Sequence, residues 1–254
     1  MPSSTQQHFS DHVAIVTGAG SGIGRATTVA LAEAGARVLG VGRRKDALAE
    51  TARLHPEIAT LPLDLRDEDA AGKVVATAVE RWGRIDLLVN NAGALALMPL
   101  AETDASVIGD LFRVNVTAPS LLAHAALPHL KRSSGSIVNV SSTYGHRPLA
   151  GGAHYAATKS ALEQLTRSWA LELAAEGVRV NAVAPGPTET NVMAAAGLPE
   201  EVIREVRASE RERIPAGRIG LPEDVADWIL RIADPRGAHL TGQVLTVDGG
   251  LELS

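Results

Sequence analysis

The stretch Val13-Ala14-Ile15-Val16-Thr17-Gly18-Ala19-Gly20-Ser21-Gly22-Ile23-Gly24 is an apolar, β-branched run that breaks into glycines. Beyond it, Ile23, Thr27, Ala30, Leu31 and Ala34 recur at helical spacing. The reading is strand, turn, helix. Glycines at 18, 22 and 24 let a phosphate approach the backbone, and the start of the helix adds free N–H groups and positive dipole. The spacing is Gly-x-x-x-Gly-x-Gly; Ile23 stands where the last glycine of G-x-G-x-x-G would be.

The same alternation continues outward. Strand-like runs are Arg37 to Val41, Ile58 to Leu63, Ile85 to Val89, Ser136 to Val140, Val178 to Val183 and Gln243 to Val247. Helical patterns fall between them, at Lys45 to Leu54, Asp67 to Trp82, Ser106 to Leu130, the stretch from His154 to Ala175, Glu200 to Arg213 and Pro222 to Ile232. Pro119 and Pro128 each remove a donor, so the helix from Ser106 should kink or fray. The expected fold is α/β, a single-domain Rossmann-type doubly wound parallel sheet of about seven strands with helices on both faces.

With 254 residues, 45% of them hydrophobic, the chain can bury a full core, and no Pro/Ser-rich linker divides it. One domain over residues 11–254 is expected, behind a flexible N-terminus at 1–10. The net charge of -5 and scattered basic residues leave no footprint for nucleic acid. Without Cys there is no disulfide, thiolate nucleophile or thiolate metal site. The polar N-terminus has no signal-peptide core, and no apolar run reaches the ~18 residues of a membrane span. The expectation is a cytoplasmic protein with no membrane partner.

A second stretch, Ser142 to Lys159, carries candidate chemistry. Tyr155 and Lys159 are four residues apart, on one helical face, so the ammonium can sit beside the phenol. A fixed cation favours the phenolate, which brings a group of reference pKa roughly 10 toward the range of a general acid or base. Ser142 lies just past a strand, at the carboxyl edge where open parallel sheets bind ligands.

Taken together, Thr17-Gly18-x-x-x-Gly22-x-Gly24, Asn90-Asn91-Ala92-Gly93, Asn115, Ser142, Tyr155-x-x-x-Lys159 and Pro185-Gly186 resemble the short-chain dehydrogenase/reductase family, over about Asp11 to Gly250. The likeness includes 3-oxoacyl-carrier-protein reductases, through Leu240-Thr241-Gly242-Gln243 and Asp248-Gly249-Gly250. It implies Tyr155 as proton donor, Ser142 as partner of the developing alkoxide, Lys159 as the group that lowers the Tyr pKa and holds the nicotinamide ribose, and Asn115 as keeper of a water relay. It also implies a substrate lid at about 191–216 and a homotetramer or homodimer. Gly18, Ser21, Gly22, Ile23 and Gly24 would meet the cofactor phosphates, Asp64 and Leu65 the adenine, Asn91, Ala92 and Gly93 a ribose. Pro185, Gly186, Thr188 and Thr190 would lie near the nicotinamide carboxamide.

Cofactor choice is read at Gly42-Arg43-Arg44, after the second strand. An acid there would bind the free ribose of NAD and repel a 2′-phosphate. This chain has Gly and two Arg, so NADP(H) is expected, with NAD(H) the alternative. Ser21, where some NADP-using relatives carry a basic residue, adds no support. The substrate would be a small ketone or the matching secondary alcohol. An NAD-dependent secondary-alcohol dehydrogenase and a non-catalytic dinucleotide-binding regulator are the rival readings. Lys131 and Arg132 could greet an acidic carrier protein, but Glu176 and the acidic overall charge weigh against it, and Ala94 to Pro99 reads either as core or as a cleft wall. His146 and His154 are set aside, since a lone loop His is usually solvated.

Overall fold

The computed structural model describes residues 8–254. In chain order the elements are β1 (Val13–Thr17), α1 (Gly22–Glu33), β2 (Arg37–Gly42), α2 (Lys45–Ala52), β3 (Ile58–Pro62), α3 (Ala70–Trp82), β4 (Leu87–Asn90) and α4 (Ala105–Phe112). After these come α5 (Ala118–Ser133), β5 (Ser136–Val140), α6 (Ala153–Leu173), β6 (Arg179–Pro185), α7 (Val192–Ala195), α8 (Glu200–Arg213), α9 (Pro222–Ala233) and β7 (Val244–Val247).

The seven strands form one sheet in the order β3-β2-β1-β4-β5-β6-β7, every pair parallel. Covered on both faces, its inner strands are buried at every residue, which is why Val13 to Val16 reads as continuous rather than alternating hydrophobicity. One apolar layer joins β1, β4 and β5 to α1 and α9 through Leu31, Val225 and Ile229; the other joins the sheet to α3, α5 and α6 through Val74, Leu122 and Ala170. The expected doubly wound α/β sheet is the observed one.

The segment expected to be loose at 1–10 falls at 1–7 outside the described residues, but Phe9 is buried in the first layer, its N–H donating to the Ala34 carbonyl at 3.1 Å. The helix expected from Asp67 begins at Ala70, because Asp64 folds back on the Arg66 N–H (3.0 Å) and holds a turn through residue 67. The single helix expected over Ser106 to Leu130 is two helices joined by a π turn, Arg113–Thr117. Pro119 sits in the first turn of α5, where its missing N–H leaves the widened ladder one bond short.

Candidate active site

The carboxyl edge of the sheet collects the candidate residues. Thr17, at the end of β1, accepts the backbone N–H of Asn91 and of Ala92 on its hydroxyl, each at 2.9 Å, while the Asn91 amide donates to the Thr17 carbonyl at 2.7 Å. These bonds weld the β4 exit to the glycine turn. A Cβ on Gly18 would lie 2.7 Å from the Asn91 amide nitrogen, and one on Gly24 2.3 Å from the Gly18 carbonyl, so side chains are excluded from both. Gly18 has φ of 71°, in the region glycine favours. Ser21 precedes α1 without capping it by its side chain, so the first N–H groups of the helix stay available. A dinucleotide's diphosphate fits this cradle of small residues and free donors. Ile23 packs against the first apolar layer, a support for the helix start.

Arg43 and Arg44 are exposed just beyond β2. Arg44 donates to the Ser21 hydroxyl at 3.3 Å, so Ser21 and the basic corner, separate in the sequence argument, meet across the turn. Gly42 has open ground beside it: an added Cβ would touch only Leu48, at 3.6 Å. Asp64 is gripped by Arg66 through bonds of 2.7 to 3.2 Å, and that hydrogen-bonded guanidinium holds its carboxyl below the usual range. Leu65 packs against the second apolar layer.

Asn115 is buried in the π turn. Its carbonyl oxygen accepts the Ala94 N–H at 2.8 Å, and its amide donates to the Ala94 carbonyl and the Thr158 hydroxyl, each at 2.9 Å. Thr158 is the α6 neighbour of Lys159, so Asn115 ties the helix pair to the β4 exit. Gly93 lies between: a Cβ there would stand 3.4 Å from both Asn115 Oδ1 and Lys159 Nζ. Lys159 is 5% exposed and donates to the Val140 carbonyl at 2.9 Å, with its Nζ 5.8 Å from the Tyr155 ring centroid. Burial pulls its pKa down to about 8, with the charge of Glu163 acting the other way.

One electrostatic expectation changes. Burial pushes the Tyr155 phenol up, the Ser142 hydroxyl beside it pulls down, and Tyr144 nearby adds a further push upward. In this structure burial outweighs the pull of Ser142, and the phenol is held protonated. Ser142 itself accepts the Tyr144 N–H at 3.2 Å, which fixes its hydroxyl at the mouth of β5.

The β6 exit closes the other side. Gly186 runs so near Asp248 that a Cβ would lie 2.5 Å from the aspartate Cβ, and Asp248 also accepts the Thr143 hydroxyl at 3.2 Å, beside Ser142. Pro185 pairs with Val247 in the sheet. Thr188 donates to the Gly186 carbonyl at 2.9 Å; Thr190 rests against Gly22 and takes an Arg207 bond of 2.9 Å on its carbonyl. The segment 191–216, expected as a lid, holds α7 and α8, and Arg207 ties α8 to the Thr190 carbonyl. Ala94 to Pro99 divides: Met98 is buried, whereas Leu97 is 47% exposed and faces the Gly152 turn.

Lys131, Arg132 and His146 gain partners that the sequence alone does not show. Lys131 and Arg132 end α5 at the amino edge of the sheet, opposite the candidate site, where Lys131 pairs with Glu176 and Arg132 with His129 at 2.7 Å. They cannot greet a carrier at the cleft. His146, set aside as solvated, is bonded between Glu163 and Glu252. Thr17 and Asp248 entered the sequence reading only as members of motifs and Thr158 was missed, because their partners lie 74, 105 and 43 residues away. His154 has a buried Nδ1 with no hydrogen-bond partner among the described residues.

A family model described as enoyl-(acyl carrier protein) reductase matches residues 18–252. The chain is 38% identical over 247 residues to the 3-oxoacyl-[acyl-carrier-protein] reductase FabG of Thermotoga maritima, covering 94% of this chain and 97% of that one. It is 40% identical over 248 residues to a cis-4-hydroxycyclohexanecarboxylate dehydrogenase of Sinomonas cyclohexanicum, covering 95% and 97%. A Caenorhabditis elegans short-chain dehydrogenase/reductase of unknown function, solved with cofactor, superposes with a TM-score of 0.89 at 35% identity, covering 97% of each chain. With its parallel sheet, glycine cradle and Ser142–Tyr155–Lys159 corner, this chain belongs to the short-chain dehydrogenase/reductase family, oxidoreductases acting on CH–OH or C=O groups with a nicotinamide dinucleotide.

Proposed function

We propose that this protein reduces a small ketone to a secondary alcohol in the cytoplasm, with NADPH preferred to NADH. The observation that carries the chemistry is the buried Lys159 beside Tyr155 and Ser142, next to the glycine cradle. When bound, the reduced dinucleotide supplies a hydride to the carbonyl carbon, and the carbonyl oxygen then requires one proton.

Tyr155 gives that proton. A phenol held protonated by burial is a competent acid only if the developing alkoxide is a strong base at the moment of transfer, which is the case for carbonyl reduction. Ser142 donates to the same oxygen and orients it. Lys159 stabilises the phenolate left behind and hydrogen-bonds the nicotinamide ribose. Asn115 bridges the Ala94 turn and the α6 helix beside Lys159, where it would hold a water that returns a proton toward Lys159. Gly18, Ser21, Gly22, Ile23 and Gly24 would hold the diphosphate; Asp64, Leu65, Asn91, Ala92, Gly93, Pro185, Gly186, Thr188 and Thr190 would line its remaining length.

Arg43 and Arg44 support the choice of NADPH, since neither is consumed by a carboxylate bond and Gly42 adds no opposing acid. Carrier-bound substrates lose their argument with Lys131 and Arg132 at the wrong edge, so a free ketone is favoured. The test is a screen of carbonyl compounds with each reduced cofactor, followed by loss of nicotinamide absorbance. Turnover of a ketone with NADPH supports the reading. Turnover only in the direction of alcohol oxidation with NAD would replace it by the rival dehydrogenase, and binding of the dinucleotide with no turnover in either direction by a regulatory role.

A further inference from the structure

Directly behind the reaction centre lies a second set of titratable groups. Glu163 is four residues past Lys159 on α6 and is 2% exposed. Its Oε1 accepts the Ser141 hydroxyl at 2.9 Å and lies 3.1 Å from His146 Nδ1. Ser141 also reaches the Lys159 carbonyl, at 3.3 Å, and is the chain neighbour of Ser142. On its far side, His146 Nε2 is 2.7 Å from Glu252 Oε2, which in turn accepts the Thr246 hydroxyl at 2.9 Å. A Cβ on Gly145 would stand 2.3 Å from the Glu163 carboxylate, so the backbone lies flat on it and shields it from water.

We propose that Glu163 is a positioning residue for the Tyr155–Lys159 pair: its buried carboxylate, shared with His146 and through it with Glu252 near the chain's end, keeps Lys159 an ammonium and fixes the Ser141–Ser142 corner. The inference rests on the reading of Tyr155 and Lys159 as the proton-donating pair. A buried carboxylate is costly unless it is paired and hydrogen-bonded, as Glu163 is by Ser141, His146 and Arg167. Among the described residues Lys159 has no carboxylate bond, only the Val140 carbonyl, and the Glu163 charge opposes the burial that drives it toward neutrality. From α6 the charged or titratable neighbours are Tyr155 and Arg167, the latter 3.7 Å from Glu163 Oε2; from the β5 exit it is His146, and from the C-terminal turn Glu252. For His146, burial lowers the imidazole pKa but the two carboxylate bonds outweigh it and raise it. The Glu163 charge is therefore shared with His146 at low pH and released to Lys159 as pH rises.

The test is a carbon-13 NMR titration of the full-length protein, labelled at the lysine ε-carbons, without cofactor or ketone. The lysines are Lys45, Lys73, Lys131 and Lys159, and Lys159→Met identifies the fourth resonance. Glu163→Gln should lower the Lys159 midpoint by about one unit, the scale of a single neighbouring charge, and Glu163→Asp should recover most of that shift. In the unaltered protein the same resonance should show a second, smaller inflection at the midpoint of the His146 imidazole signals, a reading that needs no folded variant. An unmoved Lys159 midpoint in folded Glu163→Gln, or a wild-type titration with no second inflection, overturns the proposal. If these shifts appear while Tyr155→Phe keeps normal turnover, the positioning role stands and the proton-donor reading falls.

Discussion

The side chain of Asn115 pairs with both polar backbone groups of Ala94, accepting its N–H at 2.8 Å and donating to its carbonyl at 2.9 Å. A side-chain amide thus does for the β4 exit what a neighbouring strand would do, and the π turn is the register that lets it reach. Asn115→Ala would orphan both part-buried Ala94 groups, while the Thr158 hydroxyl keeps its bond to the Tyr155 carbonyl at 2.7 Å. Each loss costs about 1–3 kcal/mol before relaxation, so the variant should melt several degrees lower and turn over more slowly, measured by calorimetry and steady-state rates. A variant with wild-type melting would show that water replaces the amide freely.

Tyr155→Phe removes one hydroxyl and leaves the ring. Turnover should fall by at least about 10²-fold, the scale of general acid catalysis, with cofactor affinity nearly unchanged by fluorescence titration. Near-normal turnover on a ketone the wild type reduces would remove Tyr155 from its role.

Lys159→Met should separate stability from activity. A lysine whose folded pKa, about 8, lies below its unfolded 10.5 binds its proton more weakly when folded. The charge therefore destabilises the fold fully below pH 8, and that cost fades as pH rises from about 8 toward 10.5. At neutral pH the variant should melt at or above the wild-type temperature while losing turnover. Wild-type stability should gain on the variant as pH climbs through that window, read by thermal denaturation at several pH values. A strongly destabilised variant at pH 7 would mean that the Val140 bond outweighs the buried charge.

Cofactor choice should turn on the corner after β2. A 2′-phosphate carries close to two negative charges, and a guanidinium binds it through paired charge-assisted bonds. At about 1.5–3 kcal/mol each, one or two lost contacts correspond to roughly 10- to 10³-fold in affinity. Arg43→Ala should weaken NADPH far more than NADH. Gly42→Asp, at a position with room for a side chain, should reverse the preference by repulsion. Equal losses for both cofactors would end the NADP assignment.

Assembly is the last prediction. Phe112, Leu121 and Leu171 are exposed on α4, α5 and α6, with Leu171 84% accessible. These are apolar positions that a lone subunit would leave in water. A homodimer or homotetramer built on these helices should appear by light scattering at micromolar protein, and Leu171→Glu should shift it toward the monomer. A monomeric wild type would exclude it.

What was legible in the sequence is what is local. Val13 to Gly24 announces a strand, a turn and a helix because each feature lies within a dozen residues, and Tyr155 and Lys159 share a face by helical period alone. Asn115 could be marked, yet not its π turn, which depends on a backbone partner 21 residues earlier. The pairing of His146 with Glu163 and Glu252 required knowing that the C-terminal turn folds back beneath the β5 exit. Glu176 could be marked from the sequence as a weight against Lys131 and Arg132 as a carrier site, yet its direct pairing with Lys131 needed the fold. The direction of the Tyr155 shift was likewise hidden, since charge spacing is written in the sequence and desolvation is not.

The strand order has a consequence for how the chain comes to exist. The first strand made, β1, lies in the interior of the sheet, and its pairing with β4 joins Ala14 to Leu87. No two strands meet through a hairpin; every contact in the sheet closes a long loop before it is rewarded, a topology that folds slowly. While the chain is being synthesised, the uncharged, proline-free run Val13 to Val16 has β2 on one flank and nothing on the other until residue 89 has emerged. For that interval it is an open template for a second nascent chain. The yield of this protein in a cell should therefore depend on how fast its first ninety residues are delivered and on which chaperones attend them, more than on the stability of the finished sheet.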